Sequence, residues 1–223
     1  MQFFIATMSV LLRGTWVTVE LTVTSLFIGT AIAIFVGLAE VYAKTWLKII
    51  AIAYDRTIRS IPILVIMFII FFGFPTIGIR FDPFMAAIIA LGIRSSAYQS
   101  QIFRGALLAV SQGQILAAKS LGMNGIQTFF HITFPQAIRF SIAPLTNEFT
   151  IVLKDTSIAY ALGVTELLRE GTYIVSTTYE PLLIYSMCAA IYFVITFGTN
   201  KFIFTVEKKF SIPGYEVRGV ERA

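Results

Sequence analysis

The chain has 223 residues, 57% of them hydrophobic and only 13% charged, with a net charge of +5 and a mean hydropathy of +0.82. A soluble domain carries about twice that share of charge, so this chain cannot cover a water-facing surface, and its composition points to lipid as the solvent. The basic residues are thinly spread with no aromatic-interleaved patch, which argues against nucleic acid. The single Cys188 excludes an internal disulfide framework.

The opening residues 2–12 are apolar but lack a positive region before them, and Arg13-Gly14 follows. That order is wrong for a cleaved signal peptide, and the stretch reads as an interfacial lead-in to a first span. Five apolar segments then approach or exceed the ~20 helical residues needed to cross a ~30 Å hydrocarbon core. They cover 15–42, 54–75, 85–110, 137–164 and 181–205. The runs are continuous rather than alternating, so helices are expected and barrel strands are not. The expectation is one all-α integral membrane domain over 1–223 with five transmembrane helices.

Lysine and arginine set the orientation. Lys44, Lys48, Arg56 and Arg59 lie between spans one and two; Arg104, Lys119 and Arg139 between three and four; Lys201, Lys208, Lys209, Arg218 and Arg222 at the end. The opposite side has only Arg13, Arg80 and Arg169. The positive-inside rule therefore puts the N-terminus outside and the C-terminus in the cytoplasm.

The cytoplasmic loop 111–136 has a fixed pattern: Ala117-Ala118, three residues, Gly122, nine residues, Ile132, one residue, Phe134-Pro135. Ala117, Ala118, Lys119 and Leu121 favour helix, Gly122 and Gly125 allow positive φ, and Pro135 biases Phe134 away from helix. A short helix, a glycine bend and a second short helix are expected, with the next span starting near Pro135.

That spacing resembles the signature loop of permease subunits of ABC transporters, in which Glu-Ala-Ala, three residues, Gly, nine residues, Ile, one residue and Leu-Pro recur. Leu116 stands in place of the Glu and Phe134 in place of the Leu. The flanking AYQSQIFRGALLAVSQGQ and NEFTIVLKDTSIA, with Arg59-Ser60-Ile61-Pro62, are similar to the branch that takes up polar amino acids, and the likeness covers nearly the whole chain. The resemblance implies the fold of a type I ABC importer permease in the plasma (inner) membrane. It implies a coupling loop, including Ala117, Ala118, Lys119, Gly122, Met123, Gly125, Ile132 and Pro135, that docks in a cleft of an ABC ATPase. It also implies the partners: an ATPase dimer, a second permease of identical or related sequence, and an extracytoplasmic solute-binding protein. No cofactor is expected on this chain; ATP and Mg belong to the ATPase. With Leu116, docking leans on shape and apolar contact.

Span four is the most polar. Asn147, Thr150 and Lys154 fall on one helical face with Ser157 a turn beyond, and Glu148 and Asp155, seven residues apart, share an adjacent face. Charges at membrane depth are costly and mark functional sites. These groups match a zwitterionic amino acid, which needs acceptors for its ammonium and donors for its carboxylate. An internal network joining Lys154, Asp155, Glu148 and Arg94 of span three is the other reading, and both stay open. Glu166, Arg169, Glu170 and Glu180 on the outer side are candidates for docking a binding protein. His131, the only histidine, falls in the coupling loop.

Three functions compete. A nucleotide-binding loop needs Gly-Lys, and that dipeptide is absent, so an importer subunit would rely on a separate ATPase chain. One His and one Cys leave a membrane enzyme little chemistry. An ATP-independent ion-coupled carrier is generally larger, with internal repeats. Basic, acidic and amide amino acids, and related solutes such as opines, all remain open as substrates.

Overall fold

The computed structural model describes residues 2–210, and every regular element among them is helical. Arg218 and Arg222 lie outside the described residues, as do the side chains of Lys208 and Lys209.

Helix α1 runs without a break over Gln2–Tyr42. The lead-in 2–12 is therefore the first part of the same helix as span one. It contains no helix breaker, and Leu11 is fully buried against Leu167 and Cys188. Gly14 does not end the helix because it serves close approach: a Cβ there would sit 2.9 Å from the backbone of Leu167.

The second span is not one helix. α2 covers Thr45–Ser60, α3 covers Ile63–Phe68, and a π turn and a 3-10 turn carry the chain on to Ile77. The two pieces meet at 102°. Pro62 causes the break, because a residue before proline is pushed out of the helical region, and Ile61 is extended at φ −96°, ψ 128°.

α4 (Pro83–Ala109) packs along α1. Small residues allow the approach: a Cβ on Gly29 would lie 3.1 Å from the Gly92 carbonyl oxygen, and one on Gly37 3.0 Å from that of Ser100. This is the packing expected of membrane helices, which associate through close backbone contact. α5 (Gln112–Ser120) and α6 (Gly125–Thr128) form the loop; α7 spans Phe134–Asp155, and a 3-10 segment Thr156–Leu162 follows. α8 (Leu167–Thr178) links to α9 (Pro181–Phe210).

By length and apolarity α1 and α9 qualify as spans, and the bent α2–α3 pair passes the same test only when its two pieces are taken together. α4 and α7, at 27 and 22 residues, are about 40 and 33 Å long at ~1.5 Å per residue, which is also enough to cross. Arg94 of α4 and Glu148 and Asp155 of α7 are turned towards one another.

Candidate functional site

The polar centre is built between α4 and α7. Arg94 lies 11 residues from the start of α4 and 15 from its end, so it sits about 16 and 22 Å from the two ends. Its Nη1 donates to Glu148 Oε1 at 3.1 Å, and its Nη2 is 3.3 Å from Asp155 Oδ2. Glu148 also accepts from Ser95 Oγ at 2.9 Å. Ser95 in turn accepts from Gln99, whose Oε1 accepts from Thr30 of α1. Glu148, Ser95 and Gln99 are buried. One guanidinium thus holds two carboxylates of α7 that the heptad spacing puts on one face, and a hydrogen-bonded chain ties both helices to α1. A buried ion pair needs such further bonds to offset desolvation.

The break between α2 and α3 opens onto this centre. Arg59, Ser60, Ile61, Pro62 and Ile63 line a cleft of about 380 Å³ together with Arg94, Tyr98 and Asp155. The Tyr98 ring lies under Arg94, with the guanidinium carbon 4.3 Å from its centroid, a cation–π contact. Arg59 is held by a bidentate pair with Asp55 at 2.8 Å. Non-helical backbone in membrane proteins is tolerated where it lines a cavity, and this break lines one.

The sequence-predicted residues separate. Arg94, Glu148 and Asp155 come together. Thr150 turns away and donates to Asn200 of α9 at 2.8 Å. Ser157 leaves the α7 face because the 3-10 segment begins at Thr156, and its hydroxyl donates to the Lys154 carbonyl. Asn147 and Lys154 are exposed on α7, and Lys154 makes no ion pair among the described residues. Arg59 and Tyr98 are the residues that spacing alone missed. The available signals were a proline inside a candidate span and the polar run Arg94-Ser95-Ser96-Ala97-Tyr98-Gln99-Ser100-Gln101 inside another.

The loop is more continuous than its sequence suggests. α5 ends in a Schellman motif: Met123 N–H donates to the Ala118 carbonyl and Gly122 N–H to that of Lys119, with Gly122 at φ +84°. A capping box then starts α6, with Asn124 and Gln127 exchanging side chain to backbone bonds at 2.9 Å. Gly125 does not use positive φ; it opens α6 as an ordinary helical residue. Nor does Phe134 leave the helix. A π turn over Phe129–Thr133, closed by Phe134 N–H to the Phe129 carbonyl, widens the coil before Pro135, so its ring fits without a break. Leu116, Leu121, Ile126 and Phe130 are exposed while Ala118 is buried. Leu121, Gly122, Met123, Gln127 and His131 line a shallow hollow on this surface.

On the α7–α9 connection, Glu166 is no docking residue. It is fully buried and caps α8, accepting from Leu168 and Arg169 N–H at 2.8 Å and from Tyr192 Oη at 3.2 Å. Burial pushes its carboxyl up to about 7 against the lowering by those donors. Glu180 remains exposed.

A helix broken beside a charged cleft, joined to a loop with an exposed apolar face, defines a membrane transport subunit. Residues 23–211 match the family described as binding-protein-dependent transport system inner membrane component, and the chain belongs to that family. It is 36% identical over 200 residues to the probable amino-acid ABC transporter permease protein YckA of Bacillus subtilis, covering 90% of this chain and 88% of that one. It is 36% identical over 201 residues to the L-cystine transport system permease protein TcyB of Bacillus subtilis, covering 90% and 86%. The fold matches a chain in the crystal structure of an amino acid ABC transporter with histidines at a TM-score of 0.88 and 33% identity, covering 93% and 97%.

Proposed function

We propose that this chain is the permease subunit of an ATP-driven importer and forms the path for a polar amino acid. The observation that carries this reading is the cleft at the α2–α3 break, where Arg59 and Asp155 face one another's side of a single polar cavity beside Arg94. An amino acid's carboxylate and ammonium need opposite charges of this kind. The 36% identical relatives, both named as permeases of amino-acid or cystine transport, support an importer over a lone ion-coupled carrier.

In this reading α1, the α2–α3 pair, α4, α7 and α9 are the five spans, with the N-terminus outside and the loop and C-terminus in the cytoplasm. ATP and Mg are held by a separate ATPase dimer, and this chain performs no catalysis. The ATPase receives the exposed apolar surface at Leu116, Leu121 and Ile126. Ala117, Ala118 and Lys119 supply the helix carrying that surface, and Gly122 and Met123 close it. Gly125, Ile132 and Pro135 carry the motion into α7, and so to Glu148 and Asp155. The rigid connection from α6 through the π turn into α7 suits that transmission. A second permease completes the path, and an extracytoplasmic binding protein delivers substrate.

The test is ATP hydrolysis by the reconstituted permease with its co-purifying ATPase, with and without binding protein and a panel of amino acids. Stimulation by one loaded binding protein is expected. A complex with no associated ATPase, or one indifferent to every amino acid, overturns the reading.

A further inference from the structure

Six ionisable side chains meet around the cleft and the α7 face beside it: Arg59 with Asp55, Arg94 with Glu148 and Asp155, and Lys154 next to Asp155 in the chain. Arg94 is committed to its neighbours: one nitrogen faces each carboxylate, its face lies on Tyr98, and its side chain is only 13% exposed. Glu148 accepts from Arg94 and Ser95 through Oε1, its side chain is only 4% exposed, and it does not line the cleft. The groups left to meet a ligand are few. Arg59, 39% exposed, binds Asp55 through Nε and one Nη, and its second Nη has no hydrogen-bond partner among the described residues. Asp155, 24% exposed, pairs through Oδ2 alone, and its other oxygen accepts no hydrogen bond among the described residues. The rest of the cleft is Ser60, Ile61, Pro62, Ile63 and the Tyr98 ring, all uncharged.

Resting on the reading of this cleft as the transport path, we infer that the site selects amino acids whose side chain carries no net charge. The free Arg59 nitrogen takes the substrate carboxylate and the free Asp155 oxygen takes the ammonium. The side chain is left against Ile61, Pro62, Ile63 and Tyr98, and the one further charge in the lining, Arg94, is already paired with two carboxylates. The charge balance agrees. Counted by formal charge, Arg59, Arg94 and Lys154 match Asp55, Glu148 and Asp155 one for one, and a zwitterion of zero net charge keeps that balance. A cationic or anionic side chain leaves one charge uncompensated in a low-dielectric region, which is expensive. Lys154 is the residue that sets the balance, because it is exposed and makes no ion pair among the described residues. Removing it leaves the remaining five groups one negative charge in excess.

The experiment is equilibrium binding of radiolabelled L-glutamine, L-arginine and L-glutamate to the assembled permease–ATPase complex in lipid nanodiscs, without binding protein, so that only the membrane site discriminates. Glutamine is expected to bind at least tenfold more tightly than arginine or glutamate. Lys154→Gln is expected to shift the arginine-to-glutamine affinity ratio at least fivefold towards arginine. Arg59→Gln is expected to weaken all three. Arginine or glutamate binding as tightly as glutamine in the unaltered complex overturns the inference about side-chain charge; if Arg59→Gln still weakens that binding, the path reading stands. No binding of any of the three overturns both. The ranking in the unaltered protein decides the matter even if a variant does not assemble.

Discussion

Arg94 bridges two carboxylates of one neighbouring helix, with Nη1 3.1 Å from Glu148 and Nη2 3.3 Å from Asp155. Removing it leaves the buried Glu148 and the partly buried Asp155 without their cation. Breaking a buried pair in this way costs about 3–5 kcal/mol, so Arg94→Ala is expected to lower the thermal midpoint in detergent sharply. Arg94→Lys should recover only part, since a single ammonium cannot fork to two acceptors. An Ala variant as stable as the unaltered protein would remove the brace.

The same geometry separates Glu148 from Lys154. Glu148 is buried in the brace, whereas Lys154 is exposed and without an ion pair among the described residues. Glu148→Ala is expected to reduce both stability and yield. Lys154→Ala should leave stability within about 0.5 kcal/mol, as for an unpaired exposed site, and so barely move the thermal midpoint, while changing the apparent KM for uptake. Equal thermal losses in the two variants would show that Lys154 is also structural.

Much of this was legible in the sequence, and the limits are physical. Spacing of seven residues put Glu148 and Asp155 on one helical face, and an Arg inside span three was an obvious partner. The loop's Ala-Ala-x-x-x-Gly spacing encodes a Schellman stop, which is why Gly122 and not Gly125 takes positive φ. Spacing along one helix says nothing of register between helices, so the meeting of Arg59, Tyr98 and Asp155 across three elements was hidden. Nor could Phe134-Pro135 be told from a helix boundary, because a π turn cancels the steric signal that proline normally sends.

Gly122 stands at φ +84° in open space, with nothing within 4 Å of a Cβ built there. A side chain therefore meets no clash, and the cost is backbone strain of about 1–2 kcal/mol. Gly122→Val is expected to distort the turn between α5 and α6 and uncouple ATP hydrolysis from uptake, with membrane insertion unchanged. Gly125→Ala, at a helical position, should transport normally. Normal coupled uptake by Gly122→Val would defeat this account of the loop.

Glu166 predicts a pH slope. Its folded carboxyl titrates near 7 because of burial, above an ordinary value of 4.5. Between those limits the folded state holds more protons than the unfolded state, so stability falls as pH rises from about 4.5 to 7 and levels off above. The span is on the order of 3 kcal/mol, at ~1.4 kcal/mol per pH unit. Glu166→Gln should flatten that slope in thermal midpoints recorded from pH 5 to 8. An unchanged slope would mean that another group titrates in this window.

Gly171 is the tightest point where α8 meets α9. A Cβ there would fall 2.6 Å from Cys188 Sγ, and Cys188 is itself buried beside Leu11 and Leu167. Gly171→Ala must push α8 from α9 or displace the thiol, and overpacking of this kind costs about 1–3 kcal/mol. Cys188→Ala removes the obstructing sulfur and costs less. The double variant is expected to be more stable than the sum of the single losses predicts, by about 0.5–3 kcal/mol for residues in direct contact. Thermal midpoints of the four proteins close the cycle. Strictly additive losses would place the strain of Gly171→Ala elsewhere, against Ile184 or Leu11, the other atoms near that Cβ.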